Sequence, residues 1–96
     1  MKVFAVASVD AAQFTPEARA KLMPHEVPHT LQLYLDGVIE QFWFREGKGP
    51  IFLLSVGSVE EAKAIVAKMP IVEAGVASYE FWPVGPLAPL AMLIAR

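Results

Sequence analysis

The chain predicts an α+β fold of the ferredoxin-like kind, a four-stranded antiparallel sheet with two helices on one face. Three observations carry that prediction. Hydrophobic periodicity and chain breakers read in the order β-α-β-β-α-β. Ninety-six residues leave room for one domain, here taken as 1–96, near the lower end of sizes that bury a real core. The composition is 55% hydrophobic and only 19% charged, below the roughly 25% charge of ordinary soluble domains. So much apolar surface exceeds what one small copy can cover, which predicts pairing with a second copy.

The elements follow in order. "KVFAVASV" (2–9) is rich in β-branched and small apolar residues and reads as a strand, with Val3, Ala5, Ala7 and Val9 on one face and Phe4 and Val6 on the other. "FTPEARA" is a helix start: Thr15 caps, Pro16 suits the first helical position and Glu17 sits at the positive end of the dipole. The helical pattern runs to Gly37, a good C-terminal stop. Pro24 and Pro28 interrupt it, so the expectation is a kink or two short helices. "VIEQFWFRE" (38–46), a turn at "GKGP" and "IFLLSVG" (51–57) form a hairpin. "SVEEAKAIVAKM" (58–69) opens with a capping box of Ser58 and Glu61 and carries an apolar stripe. "GVASYEFWPV" (75–84) is the fourth strand, and residues 85–96 are an extension whose apolar end is expected to dock on the barrel or the partner subunit.

Both sheet faces read as dry. Phe52, Leu54 and Val56 alternate with Ile51, Leu53 and a lone polar Ser55, whereas a sheet with one wet face alternates apolar and polar. A second copy's sheet is the natural cover, giving a dimeric α+β barrel. The exclusions are equally physical. The net charge is −2 with no basic cluster, which argues against nucleic-acid binding. There is no cysteine, hence no thiol chemistry or cysteine metal site. No apolar run approaches the roughly 20 residues of a membrane span, and the N-terminus reads as a strand rather than a signal peptide. The expected location is the cytoplasm.

"HEVPH" (25–29) spells the H-E-x-x-H pattern of zinc peptidases. That chemistry needs both histidines on a regular helix and a third ligand further on. Pro28 lies inside the motif and no further ligand follows at a fitting distance. No metal site is therefore expected. Helical spacing puts His25, His29, Gln32 and Asp36 on a polar stripe, with Val27, Leu31, Tyr34 and Leu35 as the apolar stripe facing the sheet. A proline kink that turned the first stripe inward would make His25 or His29 the acid–base group, since histidine titrates near neutrality.

Polar residues within apolar strands are the other candidates. Glu40 alternates onto a face with Val38, Phe42 and Phe44, while Gln41 and Arg45 share the other with Ile39 and Trp43. Glu80 lies with Val76, Ser78 and Trp82, and Tyr79 with Ala77 and Phe81. A carboxylate on a dry face is costly unless paired or lining a cavity, and its raised pKa suits a general base. An ion pair with Arg45 is the structural alternative. The aromatics read mainly as core or interface, some of them walls of an apolar pocket.

"LQLYLDGVIEQFWFRE", "SVEEAKAIVAKMPIVEAG", "YEFWPVGPL" and the opening strand together resemble the muconolactone isomerase-like families of the dimeric α+β barrel superfamily. The resemblance covers most of the chain and rests on caps, turns and core positions. It implies a homodimeric barrel and, from the namesake, proton transfer between carbons of a lactone with no cofactor. The function expected is an isomerase-type enzyme acting on an apolar cyclic or lactone-like compound. His25, His29, Glu40 and Glu80 are its candidate catalytic groups, and Tyr34, Trp43, Arg45, Tyr79 and Trp82 its candidate substrate contacts. The alternatives are a non-catalytic metabolite-binding or assembly module and a cofactor-free monooxygenase.

Overall fold

The computed structural model describes residues 1–85, and the expected docking of 86–96 lies outside the described residues. Its elements are β1 (Lys2–Val9), α1 (Pro16–Leu35), β2 (Ile39–Arg45), β3 (Gly49–Ser55), α2 (Val59–Ala67), α3 (Pro70–Glu73) and β4 (Ala77–Val84). The strands form one antiparallel sheet in the order β2-β3-β1-β4, the ferredoxin-like arrangement. Local chemistry fixes the boundaries. Thr15 Oγ1 accepts from the Ala18 N–H at 3.2 Å, capping α1. At the other end Gly37, at φ +81°, turns the chain where a side chain would be strained. Ser58 Oγ accepts from the Glu61 N–H at 3.1 Å, and Glu61 reaches back to the N–H of Gly57 at 2.6 Å. The capping box forms, with its return bond one residue earlier than the usual pattern.

Three features differ from the sequence expectations. The first concerns α1, which is a single helix of 20 residues with Pro24 and Pro28 inside it. Both prolines are exposed, about 160° around the helix from Glu26. The donors they remove therefore belong to the water-facing side, where the freed carbonyls of Ala20 and Pro24 stay solvated and a convex helix tolerates longer bonds. The second is α3, a one-turn helix with Pro70 in its first turn; the methionine–proline step reads as a stop in the sequence but also begins this turn. The third is a register irregularity between Ile39 and Gln41. It puts Ile39 opposite Leu54 and Phe42 opposite Phe52, so both face the helices, and Ile39 is parted from Trp43. Simple alternation had joined them.

The core lies between the sheet and α2. Val3, Ala5, Phe52, Leu54 and Ile39 from the strands meet Ala62, Val66 and Met69, all buried. At roughly 25 cal/mol per Å² of apolar surface, this layer is the main source of stability. The opposite sheet face carries Phe4, Val6, Ile51 and Leu53, partly exposed, flanked by Trp43 and Trp82 at 45% and 56% exposure. No helix among the described residues is long and apolar enough to cross a membrane.

Candidate functional site

α1 is closely covered along only part of its length. Between its inner face and the β2–β3 half of the sheet lies a cavity of about 500 Å³, well within the range of small-molecule sites. Phe42 and Phe44 on β2 and Phe52 and Pro50 on β3 form its floor, with Trp43 also contributing. Phe14, from the loop before α1, closes one end, and Ile71 of α3 contributes a further apolar wall. The polar groups all come from α1: Arg19, Glu26 and Thr30. Arg19 lies over the Phe14 ring, 5.5 Å from its centroid, and Glu26 follows two helical turns later, roughly 10 Å along the axis.

Among the described residues Glu26 is the buried charged one, 5% exposed. Burying a carboxylate is costly without donors. Two are present: the Ile71 N–H donates to Oε1 at 3.1 Å, and the Thr30 hydroxyl donates to Oε2 at 3.3 Å. The first donor exists because Pro70 starts a new helical turn and leaves the N–H of Ile71 without an intrahelical partner. Thr30, four residues on from Glu26, is its neighbour on the same face. Across the core, Tyr79 stacks on Phe52 with centroids 5.9 Å apart and planes 19° from parallel. Its buried hydroxyl has no hydrogen-bond partner among the described residues. Burial pushes the Tyr79 pKa well above its usual 10.0, and the Glu26 charge adds to that push.

Of the nine residues singled out from sequence, Trp43 lines this cavity. His25 is exposed and His29 half-buried, and neither reaches it. Glu40 forms an ion pair with Lys2 and shares a separate shallow depression with Tyr34. Glu80 is exposed and accepts from the Trp82 indole N–H at 3.1 Å. Arg45 donates to the Ala7 carbonyl and pairs with neither glutamate. The expected apolar stripe of α1 holds in part: Val27 and Leu31 line the cavity while staying about half exposed, Leu35 is 75% exposed, and Met23, Glu26, Thr30 and Leu33 turn inward beside them. Tyr34 meets Phe42 edge-on at 5.2 Å, beside the sheet edge. The described residues bring no three His, Asp or Glu side chains together as a metal group.

No family model matches the chain, and no curated protein matches it. Among solved structures it is similar to the 5-chloro-2-hydroxyhydroquinone dehydrochlorinase of Burkholderia phenoliruptrix AC1100, determined in complex with 2,5-dihydroxybenzoquinone. The two share 12% identity and superpose with a TM-score of 0.73 over 88% of this chain and 94% of that one. At that identity the likeness speaks for architecture. The chain has the fold of the dimeric α+β barrels. The likeness supports the fold that the sequence resemblance implies and does not single out muconolactone isomerase.

The signal for Glu26 was present in the sequence. Met23, Glu26, Thr30 and Leu33 recur at helical spacing, opposite two prolines that favour the water side. The flanking histidines drew the motif toward metal chemistry, although Glu26 and Val27 are the motif residues that line the cavity.

Proposed function

We propose that this chain is a small-molecule enzyme that works without a cofactor, moving a proton between carbons of an apolar cyclic or lactone-like compound. One observation carries the proposal: a buried carboxylate, Glu26, set in an otherwise largely apolar cavity of ligand size. A ring carbonyl compound in that cavity would place an acidic C–H against the carboxylate. Glu26 takes the proton, the electron pair moves into the conjugated carbonyl, and the same carboxyl returns the proton to the distal carbon. Atoms and charge balance with no external reductant or oxidant. The dry walls strengthen each charge interaction along the way. The dehydrochlorinase of similar fold also acts on a ring compound, which supports the class of substrate. We further propose that the second sheet face, with Phe4, Ile51, Leu53 and the two tryptophans, is covered by another copy of the chain.

A second reading, metabolite binding without turnover, is favoured by the donors already engaged on both Glu26 oxygens. Proton exchange separates the two. In deuterated water, unsaturated lactones followed by NMR should exchange ring protons with the wild-type protein, and Glu26→Gln should lower that rate by ~10²- to 10⁴-fold. Binding with no exchange would leave the non-catalytic module. Exchange that survives in Glu26→Gln but disappears in His29→Ala or Glu40→Gln would move the chemistry to those residues.

A further inference from the structure

Arg19 is the polar residue of the cavity to which the proposed reaction gives no task. It is exposed yet lines the cavity, so its guanidinium is open both to water and to a ligand. Among the described residues the ion pair is that of Lys2 with Glu40, and no carboxylate pairs with Arg19. Its neighbour is the Phe14 ring, 5.5 Å from Cζ to the centroid. A ring offers a guanidinium no lone pair, so the N–H donors stay open to an anion while the ring steadies the side chain. The first turn of α1 lies at the same end and adds its positive partial charge. Glu17, in that turn, does not line the cavity. Glu26 stands roughly 10 Å along the axis, held by its own two donors. The cavity is thus positive at the Phe14 end, negative at Glu26 and apolar between them.

We propose that Arg19 selects an elongated anionic substrate: a ring compound with a carboxylate on a side chain, the carboxylate on Arg19 and the neutral ring against Glu26. The inference deepens the proposed reaction and rests on it for the place of the ring. Three constraints fix the class. The end at Glu26 has to be neutral, because a second negative charge beside a buried carboxylate is repelled in so dry a site. The other end carries one negative charge, which one guanidinium balances through its paired donors; a doubly charged phosphate would keep half its charge uncompensated. The two polar groups are further apart than a single ring is wide, so a spacer has to cross the apolar stretch. A bare lactone reaches one group and not both.

The test is binding without turnover, read by calorimetry on the intact protein. The probes are the ω-phenylalkanoates from phenylacetate to 6-phenylhexanoate, each beside its neutral methyl ester, so that apolar gains from a longer chain cancel. In wild type the acid-to-ester affinity ratio should rise along the series to about tenfold, the low end for a charged hydrogen bond because this end is open to water. Arg19→Gln should bring each acid down to its ester's affinity while circular dichroism stays unchanged. Arg19→Lys, which keeps the charge without the fork, should retain part of the preference. Equal binding of acid and ester by wild type, a ratio that does not grow with length, or a preference that survives in Arg19→Gln would overturn the proposal. So would failure of every acid to bind. No probe has to react, so absence of proton exchange with lactones would count against the proposed reaction and not against this anchor.

Discussion

Two donors make the burial of Glu26 possible, and each comes from a different structural device. Thr30 is supplied by helical periodicity, and Ile71 by the break that Pro70 makes between α2 and α3. Neither is visible as a pair until the chain is folded, which is why a single-sequence reading weighed the conspicuous residues on either side, His25 and His29. Gly49 is a second position where geometry decides identity. Its φ of +102° is unfavourable for a side chain, and a Cβ there would lie 2.8 Å from Val9 Cγ2 and 3.3 Å from Ala7 Cβ. The close approach is what lets β3 begin against β1 at the cavity floor. Gly49→Ala should cost ~1–3 kcal/mol, from backbone strain and overpacking together. A urea titration with an unchanged slope and a lower midpoint would report it; an unmoved midpoint would show that the strand start yields freely.

At the level of elements, much of the fold was legible because its signals are local. Thr15, Gly37 and the Ser58–Glu61 pair mark ends through hydrogen bonds that span four residues or fewer. Irregularities set by distant partners were not legible. The bulge near Glu40 exists only against β3, and it reverses the face on which Ile39 lies. The orientation of α1 was hidden for another reason. Apolar residues spread over a wide arc of it, from Leu22 and Leu33 through Met23 to Val27 and Leu31, with Glu26 and Thr30 inside that arc, so periodicity alone did not mark Glu26 as inward. Pro28 sits on its exposed side, where the ring contributes little packing. An interior helical proline costs ~3 kcal/mol, offset only partly by its restraint of the unfolded chain. Pro28→Ala should accordingly raise the thermal midpoint by several degrees, on the order of 1–2 kcal/mol for a domain of this size. A lower midpoint would show that α1 depends on the bend.

Across the whole molecule, the described residues leave one broad surface uncovered. Phe4, Val6, Ile51 and Leu53, with Trp43 and Trp82 beside them, make a sheet face more apolar than a free protein of this size keeps exposed. A second copy should bury it, on the scale of 1,200–2,000 Å² for a stable pair. Light scattering should give twice the chain mass for wild type, and Leu53→Glu should halve it while circular dichroism stays unchanged. A wild-type protein that runs at the mass of one chain would rule the pairing out. Apart from Trp43, which belongs to both, this face and the cavity are built from different residues. That division extends to the cavity itself: its floor is built by the sheet, whereas Arg19, Glu26 and Thr30 all ride on α1. Its polar side chains are therefore concentrated in one 20-residue segment. Grafting a different first helix onto the same strands would change the polar lining of the cavity while keeping the frame, which makes this helix the natural unit of divergence and of redesign.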